Sequence, residues 1–224
     1  MSQTGRKPYK GLPMEGFIAT WYARNTAKDL SEIRATARRI ADRLEAGSRV
    51  LEVASGPGYL ATELARLGRC SVAGLDISRS FVRIATENAS RAGVAVEFVH
   101  GNASAMPFPG EAFDFLICRA AFKNFVQPLD ALREMHRVLR PGGRALIIDM
   151  RSDVSDAAID EEVEKMNLGR IDSLLTRVIF KHGLRKAAYS KSAFVALAAA
   201  SPFGTCEIEE RSIGMEIWLQ KQST

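Results

Sequence analysis

A carboxylate set just ahead of a glycine-rich turn is the feature of this chain best suited to chemistry. In Arg49-Val50-Leu51-Glu52-Val53-Ala54-Ser55-Gly56-Pro57-Gly58-Tyr59-Leu60-Ala61, Glu52 interrupts a short apolar run and the turn carries Gly56 and Gly58. Gly56 to Ala61 satisfies the permissive dinucleotide pattern G-x-G-x-x-A, and Asp76 lies 18 residues beyond Gly58, near where an acid that holds ribose hydroxyls is expected. On the glycines alone, a nicotinamide or flavin enzyme is a serious rival. Glu52 separates the readings, because a carboxylate there repels a pyrophosphate and attracts a cationic amine or sulfonium. The order of residues favours a cofactor with a positive end and a ribose, a description that S-adenosylmethionine meets.

The elements that must hold such a turn stand on either side of it. Val50, Leu51 and Val53 suit a strand covered on both faces, while Leu60, Leu64 and Leu67 recur at helical spacing before a stop at Gly68. A second buried strand, Ser71 to Asp76, ends in a carboxylate and leads into a helix near 79–92 closed by Gly93. A third strand at 94–99, a fourth at Phe113 to Cys118, a helix near 128–140 and a fifth strand at Arg144 to Asp149 continue the alternation. Right-handed crossovers then give a parallel sheet with helices on both faces. Thr205 to Glu210 and Met215 to Lys221, joined across Gly214, read as an antiparallel hairpin on its far edge. The predicted fold is α/β: a Rossmann-like, seven-stranded, mostly parallel sheet with an antiparallel C-terminal hairpin.

Outside this core, Met14, Phe17, Ile18, Trp21 and Tyr22 form an apolar stripe that predicts a short helix over 14–27, either covering a pocket or packing on the sheet's edge. Ile33, Ala37, Ile40 and Leu44 predict another, with Asp29 or Ser31 as N-cap and Gly47 as the stop. Residues 153–182 read as one or two helices with no strand between them, and a further helix follows at 190–200.

The 224 residues fit one domain able to bury on the order of 70% of its unfolded surface. The expected division is a tail and cap helix (1–28), a cofactor-binding core (29–150), a helical insertion or lid (151–190), and a last helix with the hairpin (191–224). No apolar run approaches the roughly 20 residues of a spanning helix, and the basic opening Met1 to Gly11 lacks the apolar stretch of a secretory signal, so it reads as a flexible tail. Cys70, Cys118 and Cys206 are odd in number and widely spaced, which points to a reducing, cytoplasmic setting without disulfides. The net charge of +5 permits attraction to anions, but the basic residues are scattered and lack interleaved aromatics, which speaks against nucleic acid.

Glu52-Val53-Ala54-Ser55-Gly56-Pro57-Gly58 resembles motif I of the class I S-adenosylmethionine-dependent methyltransferases. Gly101-Asn102-Ala103-Ser104-Ala105-Met106-Pro107-Phe108 resembles the segment that flanks the adenine, Phe113 to Cys118 the fourth strand, and Leu132 to Ile148, with Arg140-Pro141-Gly142-Gly143, the helix, turn and strand that follow. The likeness covers about residues 30–150 and is nearest to the branch with the ubiquinone and menaquinone biosynthesis methyltransferases. It implies that Glu52, Gly56 and Gly58 receive the methionine end, Asp76 the ribose, and Asn102 with Ala103 the adenine, with Ala54, Ser55, Ile77 and Arg119 completing the cofactor-binding set. Two positions depart from the family pattern: Ala54 replaces a glycine, and Asn102 replaces an aspartate that accepts from the adenine amino group. If ribose hydroxyls are Asp76's partners, Asp76→Ala weakens cofactor binding with little loss of fold.

The implied reaction is methyl transfer to a small-molecule acceptor, at O, N or C, by in-line displacement, in which the protein mainly aligns the acceptor and excludes water. After the fourth strand, where many relatives carry a histidine, this chain has Arg119-Ala120-Ala121-Phe122-Lys123-Asn124-Phe125. Lys123 and Asn124 are the catalytic candidates, with a surface lysine and a capping asparagine as the plainer alternative. Trp21, Tyr22, Phe122, His182 and Tyr189 are candidates for the acceptor pocket. Cys118, inside an apolar strand, reads as a small buried hydrophobe rather than a nucleophile, and no residue pair has zinc-ligand spacing. The competing readings are an RNA or protein methyltransferase, an NAD(P)-dependent oxidoreductase, and a catalytically silent cofactor-binding module. A homodimer is compatible with all of them.

Overall fold

A computed structural model describes residues 9–10, 14–26, 30–166 and 169–223. Its strands are β1 (Ser48–Val53), β2 (Cys70–Asp76), β3 (Glu97–His100), β4 (Phe113–Arg119), β5 (Leu139–Met150), β6 (Glu207–Arg211) and β7 (Gly214–Gln220). They form one seven-stranded sheet in the order β3-β2-β1-β4-β5-β7-β6. The first five strands run parallel, while β7 pairs antiparallel with both β5 and β6. The expected α/β architecture and its terminal hairpin are therefore present.

Helices cover both faces: α1 (Gly16–Thr26), α2 (Leu30–Ala41), α3 (Tyr59–Arg66), α4 (Arg79–Arg91), α5 (Pro128–Val138), α6 (Asp156–Lys165), α7 (Arg170–Val178), α8 (Arg185–Ala187) and α9 (Lys191–Ala199). A π-helical stretch, Ile179–Leu184, joins α7 to α8. The alternation of strand side chains sorts the core into two layers. Leu116 and Cys118 face a cluster with Leu132, Met135 and Phe194, whereas Phe115 and Ile117 face one with Ile33, Ile40, Leu60 and Leu64. Both clusters are closed to water, as the continuous apolar runs of a doubly covered parallel sheet require.

Differences from the sequence reading have local causes. The helix expected to reach residue 140 stops at Val138, because Leu139 is already extended at φ −72° and ψ 141°. Leu139 pairs with Phe113, so β5 starts before the Arg140-Pro141-Gly142-Gly143 run that reads as a turn, and the ladder breaks register there. Ser31 is the second residue of α2 and not its cap, and Asp29 lies outside the described residues, as does most of the tail. In α1 the packed side is small: Ala19 and Ala23 are buried against Phe81 and Ile84 of α4, leaving Phe17 81% and Trp21 58% exposed.

Candidate cofactor and active site

The loop from β1 to α3 turns on backbone that side chains rarely adopt. Ala54, Gly56 and Gly58 have φ of 57°, 52° and 73°, and only at the two glycines is the left-handed region free of steric cost. Gly58 is also needed for space, since a Cβ there would lie 2.6 Å from both Ala85 Cβ and Phe98 Cζ. Gly58 is the N-cap of α3 but has no side chain to satisfy the helix's first N–H groups. Glu52 does that from the strand: Ala61 N–H donates to its Oε2 at 2.9 Å. A carboxylate at the positive end of a helix is well placed, yet Glu52 is buried, and desolvation pushes its pKa up to about 8, with the Ala61 N–H and the Arg119 charge opposing.

Asp76, at the end of β2, ties the same loop from the other side. Its Oδ2 accepts from Gly56 N–H at 2.7 Å and its Oδ1 from Ser78 N–H at 2.8 Å. Burial raises its pKa, and these two hydrogen bonds pull it back. The expectation that Asp76→Ala would spare the fold rested on ribose hydroxyls as its partners; the two backbone donors correct it, because the substitution would leave both unsatisfied. Ser55 Oγ, beside them, is buried and has no hydrogen-bond partner among the described residues.

Beyond the strand ends a narrow cleft is lined by Ala54, Asp76, Ile77, Asn102, Ala103, Tyr9 and Phe125, among others. Five of these were named from sequence for the cofactor, and the fold brings them to one place. Asn102 Oδ1 accepts from Ser104 N–H at 3.0 Å, which fixes the loop after β3 and, among the described residues, leaves the amide nitrogen as the group's free donor. Arg119, at the end of β4, pairs with Glu32 of α2 at 2.9 Å. The residues present suit a cofactor with a cationic end and a ribose: two buried carboxylates, an orphaned hydroxyl and a turn that admits close backbone approach.

Tyr9 and Phe125 were missed. Tyr9 bridges to Phe125, and Lys10 N–H donates to Asn124 O at 2.7 Å, so this part of the opening segment is pinned across the end of β4. Farther on, the Glu15 carboxylate accepts from Arg79 and Ser80 N–H at 2.9 and 3.0 Å, capping α4. Burial alone would raise the Glu15 pKa, but the hydrogen bonds from Ser80, Ser78 and Arg79 bring it below its ordinary value. Nothing periodic marks Tyr9 or Lys10 in the sequence, so they read as tail.

Lys123 is neither free nor on the surface. Its Nζ donates to Asp149 Oδ1 at 2.7 Å and to Ala120 O at 2.8 Å, and both side chains of the pair are about 5% exposed. Asp149 also accepts from the Lys123 and Met150 N–H groups. The pair locks the segment after β4 to the end of β5. Asp149 could have been found, because like Asp76 it closes a buried apolar run. Phe122 is buried in the core, 5.3 Å from the Phe194 ring and 6.0 Å from the half-buried Tyr189. His182 is exposed in the π-helical stretch, and Trp21 and Tyr22 are exposed on α1. The acceptor candidates thus do not converge on one surface as the cofactor candidates do. Among the described residues no group of three or more His, Cys, Asp or Glu gathers to hold a metal.

The sheet order and strand directions are those of the class I S-adenosylmethionine-dependent methyltransferase fold. Within it, residues 51–147 match the family described as "Methyltransferase domain". The chain is 36% identical over 112 residues to the demethylmenaquinone methyltransferase of Listeria monocytogenes, a match covering 48% of this chain and 46% of that protein. It is 38% identical over 106 residues to the enzyme of that name from Thermus thermophilus, covering 47% and 48%. The chain thus spans about half the length of the curated relatives it matches. Over all of its length it superposes on a Methanococcus maripaludis protein assigned as an S-adenosyl-L-methionine-dependent methyltransferase, covering 98% of it with a TM-score of 0.77 at 20% identity. The [4+2]-cyclase SpnF shares the fold at a TM-score of 0.57 and 21% identity, covering 85% of this chain and 81% of that one, so the architecture alone does not fix the reaction.

Proposed function

We propose that this protein transfers the methyl group of S-adenosylmethionine to a small-molecule acceptor, at O, N or C, by in-line displacement. The observation that carries the reading is the buried Glu52 beside the glycine turn, with Asp76 and Asn102 at the ends of the next two strands of the fold. The cofactor supplies an already activated methyl. Glu52 favours its cationic end, Ser55 Oγ and the loop N–H groups take its polar atoms, Asp76 and Ile77 the ribose, and Asn102 with Ala103 the adenine. Arg119 is the nearby cation suited to a carboxylate. Lys123 and Asp149 set the backbone after β4, so that Asn124 and the neighbouring aromatic groups face an acceptor in line. The relatives named for quinone methylation support an aromatic acceptor.

Calorimetric titration with S-adenosylhomocysteine and, separately, with NAD is the first test. Binding of S-adenosylhomocysteine alone is expected; binding of NAD alone would sink the proposal. Incubation of a metabolite pool with isotopically labelled methyl donor then identifies the acceptor by the mass it gains.

A further inference from the structure

We propose that the helical run 170–187 docks the protein flat on an anionic lipid bilayer, an interaction separate from the methyl-transfer reading. The run has two faces. On the inner one, Phe180 and Leu184 pack with Ile159 and Val163 of α6, and Arg177, Lys181 and Arg185 pair with Asp160 and Asp156 of that helix. These positions recur at helical spacing, so they fix which side looks away.

The outer face is apolar. Leu174, Leu175, Val178 and Ile179 are 63%, 56%, 49% and 55% exposed. Four adjacent large aliphatic side chains form a contiguous patch of the kind that marks an interaction surface. Arg170 and Lys186, exposed residues at the two ends of the run, have no ion pair among the described residues. They are 16 positions apart, about 24 Å along a helix.

Charge selects the occupant. A two-fold pairing of this face with a second copy sets the helices antiparallel, bringing Arg170 against the partner copy's cationic end, and a parallel pairing sets like ends together. Both oppose self-association. An anionic bilayer meets both demands: acyl chains take the aliphatic side chains, and phosphate headgroups take the long cationic side chains at either end. Of the five lysines and arginines from Arg170 to Ala187, three pair with α6 and the other two, Arg170 and Lys186, stand at the ends of the aliphatic face.

Flotation of the full chain with vesicles of phosphatidylcholine, with and without about 30 mol% phosphatidylglycerol to supply a negative surface potential, tests this. Binding to the anionic vesicles only is expected, weakening as salt rises. Leu175→Asp/Ile179→Asp should lower it at least about tenfold, the two aliphatic anchors being replaced by charge. Arg170→Glu/Lys186→Glu should lower it with the aliphatic patch intact. An unchanged circular dichroism spectrum and melting temperature show that each variant is folded. Failure of the full chain to float with anionic vesicles overturns the proposal, and so does a concentration-dependent dimer that the Leu175→Asp/Ile179→Asp change abolishes.

Discussion

Three side chains around the glycine turn carry separable consequences. Ala54 holds φ 57° without being glycine. Left-handed backbone costs an L-residue about 1–2 kcal/mol, part of which glycine gives back as unfolded-chain entropy. Ala54→Gly is therefore expected to stabilise the protein by about 0.5–1 kcal/mol in urea unfolding. Glu52 acts in the opposite sense. Its carboxyl is raised from 4.5 to about 8 on folding, so the native state binds the extra proton between those values. That contribution is fully present below pH 4.5 and is lost as pH rises through about 8, an effect on the order of several kcal/mol. Glu52→Gln should flatten the fall in melting temperature between pH 5 and pH 8.5. A cation bound beside Glu52 favours the ionised form, so calorimetry in buffers of different ionisation enthalpy should show about one proton released per S-adenosylmethionine at neutral pH. Asp76→Ala is expected to weaken cofactor binding and also to destabilise the fold by about 1–3 kcal/mol, because Gly56 and Ser78 N–H groups lose their acceptor.

Between elements, the Lys123–Asp149 pair decides how the segment after β4 meets β5. Removing either partner leaves a buried charge alone, which costs about 3–5 kcal/mol, whereas replacing both with apolar groups of similar volume is much milder. Lys123→Met and Asp149→Leu should each lower the denaturation midpoint sharply, and the double variant should recover most of the loss. A kinetic readout separates positioning from stability: the double variant should lose more turnover than cofactor affinity, since Asn124 no longer has a fixed seat. The Phe98 ring fits a notch made by Gly58 and Gly74 between α3, α4 and the sheet. Gly58→Ala forces those elements apart at a 2.6 Å contact and should be among the most damaging one-methyl changes in the chain.

For the whole molecule, two apolar layers close on the sheet, while the 156–188 region rests on a smaller cluster of Met150, Val154, Ile159 and Val163. Amides in 170–187 should exchange with deuterium well before those of β1, β4 and β5. The central strands and their acids were legible because a parallel sheet needs unbroken apolar runs and a carboxylate stands out at the end of one. The acids proposed for the cofactor stand out for the same reason, since the topology delivers the carboxyl ends of the five parallel strands to one edge. Tyr9, Lys10 and Glu15 act through backbone contacts across long sequence separations, for which a sequence carries no period. Lys123 was legible as a residue but not in its surroundings, since its partner lies 26 positions away on another strand.

The place of β7 bears on how this chain is made. It sits between β5 and β6, holding seven paired positions on β5 from Arg144 to Met150, yet it follows every other strand in order of synthesis. Until those residues leave the ribosome, β5 is a bare edge with open N–H and C=O groups on a nascent chain whose cofactor cleft is already encoded, and that interval is when it is most exposed to pairing with another chain.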